Sequence, residues 1–165
     1  GPLLINARAE TVASRPAFRD AFASRRCLVP ADGFFEWKRL GSTRQPYRIC
    51  RPDRRPFAFA GLWQPAEDGP GETCGTCAIL TTVPNELVRG IHDRMPVILA
   101  PRQFDLWLAP GSPRSALTEL LRPAPEGELT AYPVSPRVNR TANDDPSCLE
   151  PAPEIAGDPQ GRLFD

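Results

Sequence analysis

Lysine, histidine and methionine are almost missing: Lys38, His92 and Met95 are the sole representatives of their types in 165 residues. A single histidine closes every mechanism that needs two, metal phosphohydrolase chemistry built on an H-D pair included. The lone methionine lies deep inside the chain and residue 1 is glycine. The sequence is therefore expected to be a processed product or a fragment, or to carry Gly1-Pro2 as a cleavage scar. No apolar run approaches the ~18 residues of a membrane span, and no membrane association is expected. Net charge is also lacking, at zero, yet 24% charged and 41% hydrophobic residues exclude a disordered polyelectrolyte. The length suits one domain with its own core and is short for two.

The zero net charge hides an asymmetry. From Gly1 to Leu62 twelve basic residues stand against five acidic ones, a balance of +7, and the remainder carries −7. Two readings remain: a basic region for an anionic partner such as a polyphosphate backbone, or a mixed-sign surface that folding shuffles together. The preference for arginine reflects either codon usage or the fit of guanidinium to phosphate.

Cysteine is odd in number, five in all, without a secretory segment, which points to a reduced, cytosolic chain. Cys74 and Cys77 form a C-x-x-C. Zinc would need two further ligands that no second pair supplies, and a redox site would need a helix where Ala78-Ile79-Leu80-Thr81-Thr82 reads as strand. These cysteines are read as flanking a turn, and neither metal nor cofactor is expected.

Along the chain, a short helix is expected after Ser14 as N-cap, with Phe18, Ala21 and Phe22 on one face. Strands are expected at Cys27–Val29, Phe34–Lys38, Tyr47–Cys50 and Phe57–Trp63, the last three as an antiparallel meander. Residues 64–76 read as a surface loop, and 77–82 as a buried strand followed by a short helix over Pro84–Gly90. Pro96–Leu99 reads as strand, Pro101–Leu108 and Pro113–Leu121 as helices, the latter capped by Ser112, and Leu129–Val134 as a last strand. From Pro146 the chain is Pro-rich, polar and extended, with residues 152–165 as a tail beyond a domain of residues 1–151. The class is α+β: an antiparallel, barrel-like sheet core with short flanking helices.

Three stretches are unusual for a core. In Gly33-Phe34-Phe35-Glu36-Trp37 a carboxylate interrupts apolar positions. Glu36 either faces solvent beside Lys38 or an arginine, or lies in a closed pocket where desolvation raises its pKa and makes it a general acid. In Ile91-His92-Asp93-Arg94-Met95-Pro96 the histidine is either a structural hydrogen-bonding residue or a catalytic group, with Asp93 orienting it and Arg94 free to hold a phosphate. In Asn6-Ala7-Arg8-Ala9-Glu10-Thr11, alternation puts Asn6, Arg8 and Glu10 on one face, as a plain edge strand or as a phosphate-positioning set.

Taken in order, these stretches, the run Arg26 to Trp37, the run Ile91 to Leu99 and Tyr132-Pro133-Val134-Ser135-Pro136-Arg137-Val138-Asn139 closely resemble the SOS response-associated peptidase (SRAP) family, from Asn6 to about Pro151. The resemblance implies a protein, monomeric when complete, that finds abasic sites in single-stranded DNA during the damage response and joins itself covalently to them. It implies self-removal of the initiator methionine, crosslinking through the N-terminal cysteine so exposed, and lyase activity, in the cytoplasm or on the nucleoid. Carried across by motif, Glu36 assists methionine removal and proton transfer. His92 opens the sugar and reverses the crosslink, and Asn6 holds the terminal cysteine. Arg8, Arg15, Trp37 and Thr81 line the DNA groove. No cysteine stands at residue 1 or 2, so the family's first segment is expected to be missing here. The alternative is a non-covalent single-strand-binding module without the nucleophile.

Overall fold

A computed structural model describes residues 4–65 and 75–155. The chain folds as two compact units, Gly1–Ala31 with Pro56–Val83 and Arg94–Ala124, and Asp32–Arg55 with Pro84–Asp93 and Pro125–Asp165.

The first unit is a six-stranded sheet with three short helices. Its strands are β1 (Asn6–Arg8), β2 (Arg26–Ala31), β5 (Phe57–Gln64), β6 (Thr76–Thr82), β7 (Met95–Pro96) and β8 (Ile98–Leu99), in the order β1-β6-β5-β2. β2 runs antiparallel to β5 from Arg26↔Leu62 to Ala31↔Phe57, with Gly61 opposite Cys27. A Cβ at Gly61 would lie 2.8 Å from Val29 Cγ2 and 2.9 Å from Cys27 Sγ, so glycine lets the strands approach. β5 pairs with β6 over Gly61–Gln64. Where they diverge, the chain from Met95 to Leu99 enters the gap: β7 bonds β6, β8 bonds β5, and Val97 bonds both Leu80 and Ala60. The purely antiparallel expectation needs one correction, because β1 joins β6 in parallel. Some seventy residues separate these strands, so no hairpin imposes the antiparallel sense.

Helices α1 (Arg19–Ser24), α3 (Phe104–Leu108) and α4 (Arg114–Glu119) supply Phe22, Trp107 and Leu117 to a core with Ala7, Leu62, Leu80 and Leu99. Trp107 is wholly buried and its indole N–H donates to Cys27 O at 2.9 Å. Its burial is worth on the order of 4–6 kcal/mol of transfer free energy. Neither serine predicted as an N-cap is one. Ser14 Oγ donates to Thr11 O at 3.2 Å, in the turn before α1, and Ser112 Oγ donates back to Leu106 O of α3 at 2.7 Å.

The second unit holds a three-stranded antiparallel sheet in the order β3 (Phe34–Leu40), β4 (Thr43–Cys50), β9 (Thr130–Pro133), with helix α2 (Glu86–Arg89) capped by Asn85. Gly41, at φ 61°, makes the tight turn between β3 and β4. The expected meander ends there. β4 takes β9 as its second neighbour, while β5 leaves for the other sheet. Pro52 and Pro56 interrupt the ladder between β4 and β5, and Arg54 adopts a positive φ of 60°. The chain after Pro146 is also more structured than an extended tail. Pro146–Leu149 forms a 3-10 turn, Val134 bridges Pro151, and Ala152 N donates to Pro133 O. Buried Gln45 accepts from Ile155 N at 2.7 Å and donates to Val134 O and Pro46 O. Residues 156–165 of the predicted tail, Cys74 and most of the predicted 64–76 loop lie outside the described residues. The class is α+β, with few and short helices.

Candidate functional site

Glu36 is the third residue of β3, an edge strand, and stands opposite Tyr47 of β4. Strand alternation puts Phe35 and Trp37 on one face and Glu36 on the other, yet Glu36 and Trp37 both line one cleft. Close approach at the strand's entry depends on Gly33, whose Cβ would lie 2.9 Å from both Arg48 Nε and Ile49 O.

His92 follows α2, its backbone N–H donating to Val88 O at 2.8 Å, which fixes the exit of the helix. Its Nδ1 lies 3.7 Å from Glu36 Oε2 and 3.3 Å from Asp93 Oδ1. The Glu36 side chain is 20% exposed, whereas Asp93 is almost fully in solvent. Burial pushes the Glu36 carboxyl above the usual carboxylate range. His92 opposes that shift, the Asp93 charge adds to it, and the Trp37 N–H opposes it. Among the described residues Glu36 forms no ion pair with Lys38 or an arginine, and burial is the largest cause of its shift. Glu36, His92, Asp93, Trp37 and Ile91 line a cleft of about 360 Å³, completed by Arg39 and Arg44. A carboxyl whose pKa is raised, set near an imidazole in a cleft, has the chemistry of an acid/base pair.

Trp37 is held from the far end of the sequence: its Nε1–H donates to Asn139 Oδ1 at 2.8 Å. The last of the four motifs therefore orients an aromatic ring at the cleft.

The remaining predicted residues belong to the first unit. In β1, Asn6 and Arg8 are exposed on either side of buried Ala7, as alternation predicts. Arg8 stands in register with Thr81 on β6 and Asn6 with Ile79. Glu10 lies beyond the strand, in a turn. Arg15 is exposed, its guanidinium 5.6 Å from the centre of the Phe18 ring.

Arg94 is not free for phosphate. Its Nη1 and Nη2 donate to the Glu10 carboxylate at 2.7 and 3.0 Å, and Nη2 also donates to Thr81 O at 2.6 Å and Oγ1 at 3.2 Å. The fork geometry of guanidinium favours this bidentate bond, which holds the Glu10 carboxyl below its ordinary value. Cys27 is half-buried, and burial raises its thiol pKa, away from the thiolate a nucleophile needs.

The sequence reading missed Arg39, Arg44, Ile91 and the role of Asn139. For the two arginines the signal was present: a two-residue turn at Gly41-Ser42 fixes a register that sets Arg39 opposite Arg44, in phase with Trp37.

Among the described residues no helix is long and apolar enough to cross a membrane. The sequence model described as "SOS response associated peptidase (SRAP)" matches residues 1–141. The chain is 45% identical over 152 residues to the abasic site processing protein YoqW of Bacillus subtilis, covering 91% of this chain and 68% of that one. It is 30% identical to the abasic site processing protein YedK of Escherichia coli over the same shares. It is 32% identical to the abasic site processing protein HMCES of Xenopus tropicalis, covering 87% of this chain and 49% of that one. A crystal structure of a protein from Bacteroides thetaiotaomicron superposes with a TM-score of 0.81 at 34% identity, over 89% of this chain and 65% of that one. The chain thus spans about half to two thirds of the length of these relatives, and with its four motifs in order it belongs to the SOS response associated peptidase (SRAP) family.

Proposed function

We propose that the chain acts on DNA at abasic sites in single strands. In the complete protein it crosslinks to the lesion through an N-terminal cysteine exposed by removal of the initiator methionine. The observation that carries this reading is the half-buried Glu36 carboxyl facing His92 in a cleft that also contains Trp37. The names of the relatives, abasic site processing proteins, support the substrate class.

The chemistry asks little of the protein beyond proton transfer. The aldehyde of an abasic sugar is masked in the closed ring, and opening it requires a proton at the ring oxygen and loss of one from the hydroxyl. Protonated Glu36 is suited to give the first and His92 to take the second. The α-amine then condenses with the aldehyde carbon and releases water, leaving an imine. The thiol sulfur adds to that carbon while its proton passes to nitrogen, closing a five-membered thiazolidine without oxidant or reductant. In this reading Asn6 holds the cysteine, and Arg8, Arg15, Trp37 and Thr81 contact the single strand. Reversal of the crosslink and methionine removal use the same acid/base pair.

The test is denaturing electrophoresis of the full-length protein with a single-stranded oligonucleotide carrying one abasic site. Glu36→Gln and His92→Ala are each expected to slow adduct formation by about 10²–10⁴-fold. Wild-type rates in both variants would remove the acid/base assignment. Salt-sensitive binding by the full-length protein without any adduct would leave the non-covalent binding module in its place.

A further inference from the structure

Arg39 and Arg44 face each other directly across the β3–β4 hairpin, both exposed, and both line the cleft that holds Glu36 and His92. Like charges in directly opposed positions of an antiparallel pair destabilise it. Neither guanidinium makes a salt bridge or side-chain hydrogen bond to any described residue. Other arginines of the same unit do: Arg48 with Asp32, Arg51 and Arg55 with Asp53, Arg137 with Asp145. Nor do the two carboxylates of the cleft take them. Glu36 is turned to His92, and so is Asp93, both at the same imidazole nitrogen.

Period-2 alternation places Arg39 on the same face of β3 as Trp37, whose ring is fixed by Asn139. An aromatic platform beside a paired guanidinium fork matches one nucleotide step of a single strand, base on the ring and phosphodiester in the fork. From this we infer that Arg39 and Arg44 form a phosphate clamp, binding one particular phosphodiester of the single strand so that the neighbouring abasic sugar is seated against Glu36 and His92. The two arginines are positioning residues. They touch the backbone and transfer no proton. The inference rests on the proposed single-strand abasic-site reading and adds the contact that sets register along the strand.

The experiment is fluorescence anisotropy with the full-length protein and a single-stranded oligonucleotide carrying a tetrahydrofuran abasic analogue, which has no aldehyde and so binds without crosslinking, with a neutral methylphosphonate walked through the phosphates on both sides of the lesion. Wild type is compared with Arg39→Gln, Arg44→Gln, the double glutamine variant and the double lysine variant. One methylphosphonate position is expected to weaken wild-type binding about tenfold and to leave the double glutamine variant unchanged. That variant should bind all-phosphate DNA at least tenfold more weakly than wild type, with a salt slope reduced by about 0.7, the change for one phosphate contact. Lysine, which keeps charge but not the fork, is expected to restore the salt slope and only part of the affinity. The melting temperature of the double glutamine variant should equal or exceed that of wild type, since a like-charge pair is removed; a lower one would make the pair structural and overturn the clamp. Equal losses in wild type and variant at every methylphosphonate would overturn it too, while leaving the single-strand reading intact. If wild type binds the abasic strand no better than it binds duplex DNA, the single-strand reading itself fails and takes the clamp with it.

Discussion

In the first unit Arg26 is buried, and four of its guanidinium N–H groups donate to backbone carbonyls. Nε donates to Trp107 O at 2.6 Å, Nη1 to Phe22 O and Ala23 O, and Nη2 to Ala109 O at 2.7 Å. Arg94 is likewise consumed by Glu10 and Thr81. In the second unit, at the β3–β4 hairpin, two arginines oppose each other without a counter-ion among the described residues, and burial raises the pKa of the Glu36 carboxyl. Guanidinium groups are thus paired at these two positions of the first unit, whereas Arg39 and Arg44 make no ion pair among the described residues. That unresolved local conflict lies at the cleft to which the proposed single-strand site is assigned.

Charge removal tests that contrast. Arg26→Met should cost about 3 kcal/mol, because it strands buried carbonyls that accept from a charged donor. The measurement is thermal unfolding, with a fall in Tm of about 6–12 °C at this chain length. An unchanged Tm would break the contrast from the structural side.

Arg94→Gln should cost about 1 kcal/mol, since its partner Glu10 is half exposed and solvent screens the pair. Here the pH dependence carries a sign. Arg94 holds the Glu10 carboxyl below its ordinary 4.5, so the pair's stabilisation is present above pH 4.5 and is lost as pH falls through the lowered value. Denaturant unfolding between pH 7 and pH 3 should show the wild type and the variant converging at the acid end.

Glu36→Gln should do the reverse. Burial raises this carboxyl above 4.5, so ionisation penalises the folded state progressively as pH rises from 4.5 through the raised value. The glutamine variant is expected to be as stable as wild type or more so at pH 7, with the difference closing below pH 4.5, even as crosslinking falls. A variant that is markedly less stable at pH 7 would make Glu36 a structural residue. The smallest effect is Asn139→Ala, which frees the Trp37 indole. It should weaken single-strand binding by several-fold, about 1 kcal/mol for one hydrogen bond, with no change in salt slope.

The contrast also sorts what was legible beforehand. Alternation placed Asn6 and Arg8 outward around Ala7, and it placed Glu36 and Trp37 on opposite faces of β3, because side-chain direction in a strand is a local property. Four of the expected strands lengthened without moving: Cys27–Val29 to Arg26–Ala31, Phe34–Lys38 to Leu40, Tyr47–Cys50 back to Thr43, and Phe57–Trp63 to Gln64. The meander failed because alternation states which face a residue takes and not which strand lies beside it. Arg94 was misread for a related reason. Its bidentate partner Glu10 is 84 residues away in sequence, and nothing local announces that bond.

What the sequence determined by itself is the inventory: one histidine, a carboxylate set in an aromatic strand, four motifs in the order of one family and an arginine-rich first half. The tertiary structure alone decided which of these charges are free to act. Packing brings Glu10 to Arg94, backbone carbonyls to Arg26 and Asn139 to Trp37, while at the cleft it brings Glu36 to His92 and leaves Arg39 facing Arg44. The physical reason is desolvation and distance. Whether a group is neutral, paired or available depends on what lies within a few ångströms of it, and those neighbours come from remote parts of the chain.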